Sequence, residues 1–144
     1  DWPCVIVGAG NLGSALAKFA GFSERGFSVV AVVDTDPAKV GQRLGDLVVH
    51  HEDELAALVE AHSVVIGIIT TPPSAAQEAA ETLNRAGVNS ILNFAPTVLD
   101  VPPNVLVRDV DVAVELQILA FHEERRQPEV ETSVTAPPAD RAAG

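Results

Sequence analysis

Residue type and spacing are most restrictive in Gly8-Ala9-Gly10-Asn11-Leu12-Gly13. The segment follows an apolar run and leads into a helical pattern. In that context the three glycines point to the binding of a dinucleotide. Gly8 permits a tight turn out of a strand. Gly10 lets a pyrophosphate approach the backbone without meeting a Cβ, and Gly13 lets the helix pack closely on the strand. A helix start also offers free N–H groups and the positive end of its dipole to phosphate. Asp34 comes 21 residues after Gly13, at the end of the second apolar run. A carboxylate there meets the adenosine ribose hydroxyls. It repels a 2′-phosphate, and no Arg stands beside it in Asp34-Thr35-Asp36-Pro37. The reading is therefore NAD(H), not NADP(H). Asp36, just before Pro37, reads as a cap for the next turn. Lys39 falls near the adenosine end. Two further loops belong at the carboxyl ends of later strands, where such sheets bind ligands. They are Thr70-Thr71-Pro72-Pro73 and Asn93-Phe94-Ala95-Pro96. As loops they are ordinary strand-to-helix turns; in this layout they line a nicotinamide pocket.

No group stands ready to move the proton that accompanies hydride transfer, a task usually given to His, Lys or Tyr. The chain has no Tyr. His50 and His51 follow the third apolar run, His62 precedes the fourth, and His122 lies late in the last helical stretch. All four read as surface or packing residues. Lys18 falls on the first helix. Cys4 is the one cysteine, so neither an internal disulfide nor a cysteine-built metal site is available. It reads as a small apolar core residue. The expectation is a dinucleotide pocket without catalysis and without metal. The alternatives are the cofactor half of an NAD-dependent oxidoreductase, or a CoA- or nucleotide-binding module of the same layout.

The elements that must hold these residues alternate in type. Short apolar runs at 4–7, 29–33, 47–49, 64–69, 90–93 and 105–107 are rich in Val and Ile. Strands apolar on both faces belong to a buried parallel sheet. Helical spacing marks residues 11–24, 52–61 and 74–86, the last ended by Gly87. This is an α/β fold, a Rossmann-type doubly wound and mostly parallel sheet, spanning residues 1–110. Residues 111–126 read as a further helix with Asp111 as N-cap. It is apolar nearly all round and must be buried, either as a final cover or inserted into a partner subunit. Residues 127–144 have no apolar period and read as a disordered tail.

Composition bounds the partners. The chain has 144 residues, 47% of them hydrophobic, enough to bury a core. Nine Lys and Arg oppose 20 Asp and Glu, a net charge of −11. Such a chain does not grip nucleic acid or an anionic membrane by itself. No apolar run reaches the roughly 18 residues of a membrane span. The lone cysteine fits a reducing compartment. The chain starts almost directly in an apolar run, so a preceding part is expected.

Several stretches together resemble the C-terminal NAD(H)-sensing domain of the redox-sensing transcriptional repressor Rex. They are the segment from Val7 through the glycines to Ser14-Ala15-Leu16, then Asp34-Thr35-Asp36-Pro37 and Ile91-Leu92-Asn93-Phe94-Ala95-Pro96. The last is Val110-Asp111 with Glu115-Leu116-Gln117-Ile118-Leu119-Ala120-Phe121. The glycine motif is widely shared; the Asn93 stretch and the last helix are far more specific. The resemblance implies a cytoplasmic homodimer in which each last helix is swapped into the other subunit. It implies a repressor that NADH releases from operator DNA while NAD+ competes for the pocket. The DNA contacts would come from an N-terminal winged-helix domain that these residues do not include. NADH and NAD+ are then ligands, not redox-cycled cofactors. The resemblance also places Phe19, Asp111 and Val112 at the nicotinamide side or in a dimer interlock. Rex proteins often carry a Tyr where this chain has Phe19, and Phe19 cannot make that hydroxyl's bond to the partner's counterpart of Asp111.

Overall fold

The computed structural model describes residues 1–111 together with 119, 120 and 123. Residues 1–110 form one compact unit, and a second unit begins at Asp111. Leu119, Ala120 and Glu123 are helical. The remainder of the expected last helix, Val112 and the 127–144 tail lie outside the described residues. So does any test of the helix swap.

Seven strands make one sheet. They are β1 (Trp2–Val7), β2 (Phe27–Asp34), β3 (Arg43–Leu44), β4 (Leu47–His51), β5 (Ile66–Ile69), β6 (Ser90–Asn93) and β7 (Leu106–Asp109), in the spatial order β3-β4-β2-β1-β5-β6-β7. Six are parallel, and β3 is a short antiparallel addition to β4. The chain runs outward from β1 through β2 to β4, then crosses back to β5 on the other side of β1. That is the doubly wound order, and its reversal between β1 and β5 opens a crevice at the carboxyl ends of those strands.

The central strands alternate between two cores. Val5, Val7, Val33 and Ile69 face one side; Cys4, Ile6, Val32 and Ile68 face the other. The first side is covered by α3 (Leu55–His62) and α4 (Pro73–Arg85), through Leu55, Val59, Ala76, Ala79, Ala80 and Leu83. Alanine allows α4 to sit close, and Gly67 leaves room for the Leu83 methyls where a Cβ would stand 2.7 Å from one of them. Pro73 opens α4 at a position where a missing N–H costs nothing. Gly87, at φ +94°, lets the chain turn back after it. Among the described residues the opposite side carries only α1 (Asn11–Ala17) and the one-turn α2 (Gly21–Glu24). There an apolar trough of about 360 Å³ lies against the strands, floored by Ile66, Ile68 and Leu92.

Three expectations change. The stretch 11–24 is not one helix: α1 ends with Lys18 as its C-cap, and α2 starts only at Gly21. Phe19 sits in the break. Its ring lies over Gly21, where a side chain would collide with it, and meets Phe22 edge-on at 5.1 Å between centroids. Edge-to-face contact is a favoured arrangement of two aromatic rings. Second, residues 52–61 divide into a 3-10 turn at Glu52–Glu54 and α3. Third, β3 was invisible, because a two-residue strand has no period to read. Among the described residues no helix is long and apolar enough to cross a membrane.

Candidate functional site

The β1 strand delivers Gly8 into the crevice. Gly8 has φ +116°, a conformation that L side chains rarely adopt, and its N–H holds the Val33 carbonyl at 2.9 Å. A Cβ on Gly8 would come within 2.9 Å of Thr70. A Cβ on Gly13 would overlap the Gly8 carbonyl oxygen, so α1 can approach β1 only through glycine. Gly10 differs from both: nothing lies within 4 Å of where its Cβ would be. It caps α1 without any side-chain hydrogen bond. Two of the glycines are thus required by the protein's own packing, and the middle one faces open space at the switch point. Asn11 and Leu12 follow it on the exposed start of α1, and Ala9 is buried beneath.

Asp34 ends β2 beside this turn. Its Oδ2 accepts the Ala9 N–H at 2.7 Å, and its Oδ1 accepts the Asp36 N–H at 2.9 Å. The carboxylate therefore ties the glycine turn to the β2 loop. An ionised carboxylate has about four lone-pair directions, so two remain for ribose hydroxyls. Asp36 accepts the Ala38 N–H at 2.9 Å, which caps a turn, as its place before Pro37 suggested. Lys39 is half-buried in the same turn, its N–H on the Asp36 carbonyl at 2.9 Å.

His51 and Glu52 were missed by the sequence reading. In the parallel register His51 stands directly across from Asp34. Its Nδ1 accepts the Asp53 N–H at 3.0 Å, which leaves the ring proton on Nε2. Burial raises the Glu52 carboxyl above its ordinary pKa; Thr82's hydroxyl pulls it down, Glu78 and Asp34 push it up, and His51 pulls it down. This end of the crevice is anionic. The signal lay in the strand pairing, since position 51 ends the strand next to Asp34.

Thr70 follows β5 and braces the turn. Its hydroxyl donates to the Gly8 carbonyl at 2.8 Å and lies 3.3 Å from that of Val7, and its N–H holds Val7 at 2.9 Å. Thr71 donates to the Pro72 carbonyl at 3.0 Å; Pro72 itself is exposed and precedes α4. The second loop is built otherwise. Asn93 is wholly buried, and its amide reaches the Ala95 and Thr97 carbonyls at 3.1 and 3.2 Å and Asp109 Oδ1 at 2.9 Å. Its Oδ1 accepts the Ala95 N–H at 3.0 Å. The Asn93 side chain is fully engaged inside the protein, so it shapes the loop and presents nothing to a ligand. Phe94 packs into one core, Ala95 into the other, and Pro96 is exposed. Phe19 is half-exposed beyond the end of α1, and Asp111 is exposed. Among the described residues no group of three His, Cys, Asp or Glu could hold a metal. Burial also raises the Cys4 thiol's pKa, which keeps it protonated and unreactive.

Residues 1–97 match the model of the CoA binding domain family. The redox-sensing transcriptional repressor Rex of Streptomyces avermitilis is 54% identical over 139 residues, covering 96% of this chain and 55% of that protein. The chain spans about half the length of the curated relatives it matches. Among solved structures, RSP, a Rex-family repressor, in complex with β-NADH superposes with a TM-score of 0.78 at 29% identity, over 93% of this chain and 64% of that one. RSP in complex with β-NAD+ and operator DNA gives 0.75 at 29% identity, over 94% and 63%.

Proposed function

We propose, from the premise that this chain belongs to the CoA-binding domain family and is homologous to the Rex repressors, that residues 1–110 are the NAD(H)-sensing unit of a transcriptional repressor. The observation that carries this reading is the open space over Gly10 at the switch point, with the Asp34 carboxylate beside it. The pyrophosphate lies over Gly10, Asp34 takes the ribose, and the nicotinamide end reaches the loops at 70–72 and 94–96. The anionic surround of Asp34, Glu52 and Glu78 rejects a 2′-phosphate. Nothing at the site performs chemistry on the cofactor: it is a ligand whose redox state is read. NADH shifts the protein toward a form that does not bind operator, because it binds that form with greater differential affinity than NAD+ does. The acidic chain does not contact DNA itself; that task falls to other parts of the protein. Residues 111–126 join two copies, the protein works in the cytoplasm, and Phe19, Asp111 and Val112 lie at the junction.

The family's description favours a second reading, a CoA-type nucleotide. Asp34 weighs against it, since a phosphorylated adenosine ribose meets the same repulsion. Calorimetric titration with NADH, NAD+, NADPH and CoA separates the readings. The expected order is NADH first, NAD+ weaker, NADPH and CoA weakest. Equal affinity for NADH and NAD+ would overturn redox sensing, and tightest binding of CoA would establish the second reading.

A further inference from the structure

We propose that Asn93 is a positioning residue that couples the loop at 94–97 to the carboxyl end of β7, so that a ligand closing on the loop is felt at Asp109 and Val110. The inference rests on the NADH reading above for its ligand. Asn93 is the one fully buried polar residue among the described residues. Its amide has two protons for three acceptors: the Ala95 carbonyl, the Thr97 carbonyl and Asp109 Oδ1. Its backbone carbonyl takes the Val110 N–H at 2.8 Å, and the next residue, Phe94, donates to the Ile69 carbonyl at 2.9 Å. Asn93 and Phe94 together thus join the ends of β5, β6 and β7.

The arithmetic of the amide makes the joint responsive. With three acceptors sharing two protons, the planar group settles where all three are partly served. If the loop moves toward a ligand, the Ala95 and Thr97 carbonyls move with it. The amide must then follow them and loosen its hold on Asp109, or stay and release the loop. A carboxylate is the strongest of the three acceptors, so the Asp109 bond resists and transmits the displacement. Val110 is where the first compact unit ends, and Asp111 begins the second. The joint therefore lies where the chain leaves the sheet.

Amide hydrogen exchange on the intact chain, with and without saturating NADH, reads the coupling at single residues. NADH should slow exchange at Ala95 and Thr97, and also at Val110, by about fivefold or more. Asp109→Ala lies on an exposed strand end, so its NADH affinity should stay within about threefold of the parent. It should keep the protection at Ala95 and Thr97 and lose it at Val110. Asp109→Asn retains an acceptor and should restore most of the Val110 response. A purely structural Asn93 gives no ligand-dependent change at Val110 in the parent chain, and that result overturns the coupling. So does an Asp109→Ala chain that responds at Val110 as the parent does. Absence of NADH binding to the parent chain overturns the function reading itself, and the inference falls with it.

Discussion

The glycine turn after β1 and the Asn93 corner after β6 flank the same crevice and are built on opposite plans. The turn works by leaving side chains out. Gly8 and Gly13 are small because Thr70 and the Gly8 carbonyl occupy the places their Cβ atoms would take, while Gly10 is small with nothing there at all. The corner works by putting one side chain in. Asn93 fills the bend between β6 and its loop and uses every donor and acceptor it has. The turn can bind a ligand through backbone because it is empty. The corner can only position, because it is full. Gly10 contributes space at the crevice, and Asn93 contributes scaffold.

Three substitutions break or sharpen the contrast. Gly13→Ala has the largest expected effect. Its methyl meets a backbone oxygen that cannot swing aside, so unfolding in denaturant should show a loss of about 3 kcal/mol, the upper end of overpacking costs, and NADH binding should vanish. Stability equal to the parent would mean that the turn relaxes and is not full at Gly13. Next is Asn93→Ala, which strands the buried Ala95 N–H. Equilibrium unfolding should register a loss of about 2 kcal/mol, within the range for an orphaned buried group. A loss below about 0.5 kcal/mol would show that water replaces the amide, and the corner would no longer count as saturated. Smallest in stability is Gly10→Ala. Alanine is a poorer N-cap than glycine but restricts the unfolded chain, so the two effects offset to within about 0.5 kcal/mol. Calorimetry should nevertheless show NADH affinity falling by about tenfold or more, because the methyl enters the space a pyrophosphate needs. Unchanged affinity would remove Gly10 from the site.

The legibility of these regions follows the same division. The glycine turn, Asp34 and the strand runs were readable because local rules act on them: a turn with positive φ demands glycine, and a strand buried on both faces demands Val and Ile. The break at Lys18 to Ala20 was not readable. Helical spacing continues through it, and the packing of Phe19 on Gly21 and Phe22 at the break appears only in the fold. Asn93 was read as lining the pocket, and its internal hydrogen bonds were not legible. Its partner Asp109 lies 16 residues away, and no spacing rule joins them. His51 and Glu52 were passed over because their relation to Asp34 exists only across a strand pair.

By itself, then, the sequence determined the alternation of strand and helix, the position of the glycine turn after β1 and the carboxylate that ends β2. Each of these is a local demand, met by residues within a few positions of one another or at a fixed interval along one unit. The tertiary structure alone decided which carboxylate also staples the turn, and which polar side chain is consumed by the fold. Those outcomes depend on which strand ends come side by side. The strand order sets that: the crossover from β4 back to β5 brings Thr70 against Gly8, the pairing of β2 with β4 puts His51 beside Asp34, and that of β6 with β7 puts Asp109 within reach of Asn93.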